Sequence, residues 1–108
     1  MSSPDFVGHI NDPDVHDGTI LEVRQSDTQV RVLVRSYERE LYVFEFSQVQ
    51  SVKSAEPVGM LLYSLTEMAA AEPFRRFAFT NWDEEGEGML EVVAQQIAIR
   101  KIANEADF

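Results

Sequence analysis

Between Gln29 and Ser36 the chain alternates with a period of two: Val30, Val32 and Val34 fall on one side, and Arg31, Leu33 and Arg35 on the other. Successive side chains of an extended strand point to opposite faces, so the pattern predicts a β-strand and does not fit one stripe of a helix. After the polar turn Glu38-Arg39-Glu40 comes Leu41 to Phe46, whose two faces, Leu41/Val43 and Tyr42/Phe44/Phe46, are both largely apolar. A strand that is apolar on both sides has to be covered on both sides, which places it centrally in a sheet. Thr19 to Gln25, carrying Ile20, Leu21 and Val23, precedes this pair across the turn Ser26-Asp27-Thr28. The three segments predict an antiparallel meander with the Leu41 to Phe46 strand central.

The rest of the chain is less regular. Val49 and Val52 extend the sheet briefly before Ser54 to Pro57 interrupts it. From Gly59 to Ala71, the Met60, Leu61, Leu65 and Met68 spacing and the near absence of β-branched residues predict a short helix that ends near Pro73. Phe77 and Phe79 alternate with Arg76, Ala78 and Thr80 in a strand from Phe74 to Trp82, and Asp83 to Gly88 forms the hairpin connection that follows. Met89 to Ile102 fits either period, but β-branched Val92, Val93, Ile97, Ile99 and Ile102 favour a strand with an irregularity near Gln95-Gln96. Residues 1–18, punctuated by Pro4, Gly8, Pro13 and Gly18, predict an irregular lead-in, and residues 103–108 a frayed tail.

The expected fold is therefore mainly β: a single domain over residues 1–108, built as an antiparallel sheet or small sandwich with one short helix near residues 59–71. Its expected core is Leu21, Val23, Val30, Val32, Val34, Leu41, Val43, Phe44, Leu61, Leu65, Phe77, Phe79, Leu90, Val92 and Ile97. A chain of 108 residues hides roughly two-thirds of its unfolded surface, enough for one core and no second domain.

Charge narrows the partners. Nineteen acidic residues against nine basic ones give a net charge of −10, which repels phosphate backbones and anionic lipid headgroups. Neither nucleic acid nor membrane is expected as a partner, whereas a basic protein is. The chain has no cysteine, so disulfides, thiolate zinc sites and cysteine nucleophiles are excluded, which suits a reducing compartment. Met1 to Asp5 lacks the basic and apolar regions of a signal peptide, and no apolar run approaches the length of a membrane span. A cytoplasmic location is expected.

Candidate chemistry is sparse. Asp12-Pro13-Asp14-Val15-His16-Asp17-Gly18 resembles a calcium loop in its alternate carboxylates, but counting from Asp12 puts Asp17 where glycine is needed and Val23 where the bidentate glutamate is needed. His9, Asp14, His16 and Asp17 are the remaining candidate metal ligands, in a spacing that matches no zinc or facial-triad template. The eight serines include no nucleophile elbow, and the five glycines form no phosphate cradle. No catalytic constellation emerges, so the chain is expected not to be an enzyme and to need no cofactor. Two features point instead to binding. Arg24, Arg31 and Arg35 lie on the first two strands of the meander, where neighbours can hold a carboxylate bidentately or pair with acids such as Glu22, Glu45 and Glu91. Trp82 stands beside Asp83, Glu84, Glu85 and Glu87, an aromatic anchor with a charged rim.

The order of a His16-Asp17-Gly18 opening, two amphipathic strands, the Leu41 to Phe46 strand, Gly59-Met60 with Leu62-Tyr63-Ser64-Leu65, and Leu90-Glu91-Val92-Val93-Ala94 resembles a group of small bacterial β-rich domains of unknown function. Some of that group are regarded as immunity proteins of polymorphic toxin systems. The resemblance spans residues 16–102 and implies a non-enzymatic domain that binds a toxin. The leading expectation is thus an intracellular protein-binding module with an acidic surface. The alternatives are a small-molecule or metal-binding accessory domain using the His9 to Asp17 loop, and a homo-oligomeric structural protein suggested by the two apolar faces of Leu41 to Phe46.

Overall fold

Val30, Val32 and Val34 are all buried, as their alternation requires, in a computed structural model that describes residues 6–10, 15–81 and 88–108. Seven strands follow in chain order: β1 Phe6–His9, β2 Thr19–Gln25, β3 Gln29–Arg35, β4 Leu41–Ala55, β5 Leu62–Met68, β6 Arg75–Asn81 and β7 Met89–Ile102. All pairings are antiparallel, in a single sheet of order β1-β5-β6-β7-β4-β3-β2. The predicted meander is β2-β3-β4, and β4 is central between β3 and β7.

β4 and β7 are unusually long, at 15 and 14 residues, and pair from Leu41 opposite Ile102 to Ala55 opposite Met89. At the ordinary rise such strands would run nearly 50 Å if straight, yet the longest dimension of the molecule is 36 Å. They therefore bend. Gln48 takes a positive φ of 54°, and the register shifts between Val49 and Ser51. Phe46 and Val49, three residues apart, both join the core, as do Ala94 and Ile97 on the partner strand. The irregularity expected near Gln95-Gln96 is half of this shared bend.

The bend brings the first residues of β2 back against the segment that enters β5. Asp17 N–H donates to the Leu62 carbonyl (2.9 Å), Leu62 N–H to Gly18 (2.7 Å), Gly59 N–H to Ile20 (2.7 Å) and Ile20 N–H to Met60 (3.2 Å). These bonds close β2-β3-β4-β7-β6-β5 into a six-stranded barrel, and β1 pairs along the remainder of the same β5 edge. Closure satisfies backbone groups that an open edge would expose. Gly18 is required there, because a Cβ would lie 2.9 Å from the Val15 carbonyl oxygen and 3.0 Å from that of Arg35. Gly59, with φ of 90°, supplies the left-handed turn that aims its N–H at Ile20.

The barrel interior is one cluster, with Phe44, Phe46, Phe77 and Phe79 in contact at its centre and Ile20, Val30, Val32, Val34, Leu62, Leu65, Leu90 and Val92 around them. A second cluster lies outside the sheet, where Leu33, Val43, Ile102 and Phe108 pack together with Leu21 and Leu41 against them.

Five expectations are corrected. Residues 59–71 contain no helix: they form a turn and then β5. A bulge between Leu62 and Ser64 puts Leu62 and Leu65 on the same face three residues apart, which imitates helical spacing in a strand. The expected core residue Leu61 is 46% exposed, and its neighbours Met60 and Leu62 are buried instead. The lead-in is not wholly irregular, since Phe6–His9 is a strand. Nor does the tail fray: Glu105–Asp107 is a 3-10 turn capped by the Asn104 side chain, and Phe108 is only 7% exposed. The segment 54–57 also fails to interrupt the sheet where expected, because β4 continues to Ala55.

Gly18→Ala is expected to cost about 1–3 kcal/mol through forced backbone displacement. Leu65→Ala should cost about 2–5 kcal/mol, whereas Leu61→Ala should stay within about 0.5 kcal/mol of the wild type. Urea denaturation of the three variants reads all of these differences.

Candidate functional site

Arg24 and Arg31 are directly opposite one another on β2 and β3. Both guanidinium groups lie over the ring of Phe108, at 4.4 Å and 5.2 Å from its centroid, within the range of a cation–π contact. Arg24 is further engaged: Nη1 donates to the main-chain oxygen of Phe108 (2.8 Å), while Nε and Nη2 donate to the Glu22 carboxylate (3.2 and 3.3 Å). The expected pairing of Arg24 with a carboxylate is thus met by its own strand. Around this pair an open cleft of about 540 Å³ is lined by Arg24, Gln25, Ser26, Gln29, Arg31 and Glu45.

Arg35 does not join them. It sits at the far end of β3, opposite Thr19 and Leu41, in a separate cleft with Asp17, Thr19, Ser36, Tyr37 and Arg39. Glu45 and Glu91 pair with Arg100 (2.7 Å) and Arg76 (3.5 Å) rather than with the meander arginines. Arg75 donates twice to Glu67, at 3.0 and 2.7 Å, and this contact raises its already high pKa.

At the β3–β4 turn, Glu40 accepts from Lys101 Nζ (2.9 Å) and from the Tyr42 hydroxyl (2.8 Å). The Lys101 hydrogen bond, then the Tyr42 one, hold the Glu40 carboxyl below its ordinary range, and the same contacts push Tyr42 and Lys101 up. A lowered carboxyl pKa stabilises the fold above its unfolded value, and that contribution is lost as pH falls through the folded one. The raised Lys101 contributes below its unfolded value and loses its contribution as pH rises through the folded one. Both groups are solvent-screened, so the effect is small.

The histidines are held apart by β5. His9 Nδ1 lies 3.2 Å from Thr66 Oγ1, which is also 3.2 Å from Ser64 Oγ, and the His9 ring meets the edge of Phe6. His16 packs edge-on against Tyr63 at 5.6 Å and pairs with Asp17 at 3.5 Å. Asp14 lies outside the described residues, and among those described no three His, Asp or Glu side chains form a metal-binding group. Trp82, Asp83, Glu84, Glu85 and Glu87 also lie outside the described residues.

What sequence patterns missed is the apolar surface where that segment joins the barrel. Register places Ala55 opposite Met89, Phe79 opposite Leu90, Leu62 opposite Asn81 and Leu61 opposite Thr19 along one rim. Val58, Leu61, Tyr63 and Met89, all large and all exposed, lie on or beside it. The available signal was the bulge-broken run Met60-Leu61-Leu62-Tyr63, with more apolar residues than one face of a strand can hide. The chain leaves β6 and enters β7 on this rim, so the acidic segment is attached to it.

Comparison with protein-family models, curated proteins and solved structures finds no match. The fold and surface by themselves define a closed antiparallel β-barrel domain with an apolar rim and an arginine-flanked aromatic site. Among the described residues no helix is long and apolar enough to cross a membrane.

Glu40→Gln should lower the melting temperature near neutral pH, and the difference from wild type should shrink as pH falls through and below the ordinary carboxylate range, where the wild-type group protonates. Melting curves across that range check it.

Proposed function

We propose that the protein acts by binding another protein, and that the partner is basic. The observation that carries this reading is the rim: four exposed large apolar residues, Val58, Leu61, Tyr63 and Met89, sit where the acidic Asp83 to Glu87 segment joins the barrel. Apolar side chains with a charged segment next to them in the chain suit an interface, because the apolar part supplies burial energy while the charge speeds and selects encounter. The net charge of −10 supports a basic partner. A basic toxin of the kind bound by immunity proteins fits that chemistry and the resemblance carried by residues 16–102.

Benzoylphenylalanine placed at position 63 should crosslink to a basic protein in an extract of the source cells, and the same group at Asp27, in the exposed β2–β3 turn at the other end of β2 from Thr19, should not. Raising salt from about 50 to 300 mM should weaken the adduct, and Leu61→Asp should abolish it while leaving the melting transition in place. Equal adducts at positions 63 and 27, or an adduct indifferent to Leu61→Asp, would sink the proposal.

A further inference from the structure

The outer face of the sheet carries a second site, independent of the rim. Its floor is Leu33, Val43 and Ile102, contributed by three different strands and buried beneath Phe108. Its sides are Arg24 and Arg31, like charges directly opposite one another on neighbouring strands, an arrangement that is unfavourable unless something with negative charge or a π-face lies between them. Phe108 supplies the π-face, and for Arg31 the ring is the partner among the described residues. A further polar contact, Arg24 Nη1 to the main-chain oxygen of Phe108, addresses a group that every peptide possesses.

The site is built by the barrel and only filled by the tail. Leu33, Val43 and Ile102 are fixed by strand pairing, whereas among the described residues the segment after Ile102 is held by the Phe108 ring, a hydrogen bond from Arg24 and a 3-10 turn, with no sheet pairing. From the arginines the cleft continues past Gln25, Ser26 and Gln29, which offer amide and hydroxyl donors to a longer occupant. We infer that this is a peptide-recognition site for an acidic segment bearing a phenylalanine, and that the chain's own Glu105-Ala106-Asp107-Phe108 occupies it in cis as a displaceable latch. The acidic preference follows from Arg31, which among the described residues pairs with no carboxylate whereas Arg24 is held by Glu22, and the aromatic preference from the ring-sized floor beside them.

A tail on a short tether competes at an effective concentration on the order of millimolar, so a peptide in trans binds well only when the tail ring is removed. The test uses the full chain with Phe108→Ala and a fluorescent hexapeptide of the sequence 103–108. The peptide should bind this variant about tenfold or more tighter than it binds wild type. Adding Arg31→Gln should weaken binding, and a peptide with alanine in place of its phenylalanine should not bind. Equal affinity for wild type and Phe108→Ala, or no binding to a cooperatively melting Phe108→Ala chain at about 1 mM peptide, overturns the inference. If Phe108→Ala does not melt cooperatively, 4-fluorophenylalanine at position 108 of the otherwise unchanged chain decides. Its resonance should move to the solvent-exposed position with excess peptide and with Arg24→Gln/Arg31→Gln, and a resonance unmoved by either overturns the inference.

Discussion

The pairing of β4 with β7 is the constraint from which the rest of the structure follows. Two strands of this length cannot stay straight in a domain this small, and their common bend around Gln48 and Gln95 turns one ribbon into two connected halves. One half accepts β3 and β2, the other accepts β6 and β5. Because the bend is shared, the halves curl toward each other until Gly18 and Leu62 come within hydrogen-bonding distance. Closure then gives the phenylalanines of β4 and β6 a common interior. Without the bend there would be a flat sheet with two open edges and an uncovered face.

Closure also separates the two surfaces on which binding is argued. The rim lies where β5 begins and β7 begins; the arginine pair lies on the outer face of β2 and β3, over residues from β3, β4 and the end of β7. The outer apolar side of β4, Leu41 and Val43, is the feature that made a homo-oligomer plausible from sequence. In the folded chain Ile102 and Phe108 pack over it, so that this face needs no second copy to keep it dry. Exposed apolar side chains lie on the rim, on β1 at Phe6 and Val7, and at Tyr37 instead.

Legibility tracked regularity. Where side chains alternate without interruption, as in β3, the first part of β4 and β6, the sequence pattern and the strand agree almost residue for residue. Where a bulge inserts one residue, apolar positions fall three apart and a strand presents the spacing of a helix; β5 reads as helical for that reason, and Leu61 rather than Leu62 falls in its apparent core stripe. β7 also sets core residues three apart, Ala94 and Ile97, across the bulge in its partner β4, but its five β-branched residues favour the strand it is. For the candidate site, Arg24 and Arg31 were legible as cross-strand neighbours. Arg35 was not separable from them, because a strand of alternating arginines does not state where its partner strand ends.

The amino-acid order by itself determined that this is an acidic, cysteine-free, mainly β chain with antiparallel strands, because period-two alternation and composition are local properties that need no knowledge of neighbours. Only the tertiary structure decided that the sheet closes, that Phe108 is buried between two arginines 77 and 84 residues earlier in the chain, and which apolar residues stay exposed on the rim. Those outcomes depend on bulges and on contacts between residues far apart in sequence. Their physical cause lies in register and curvature, which no short window of residues contains.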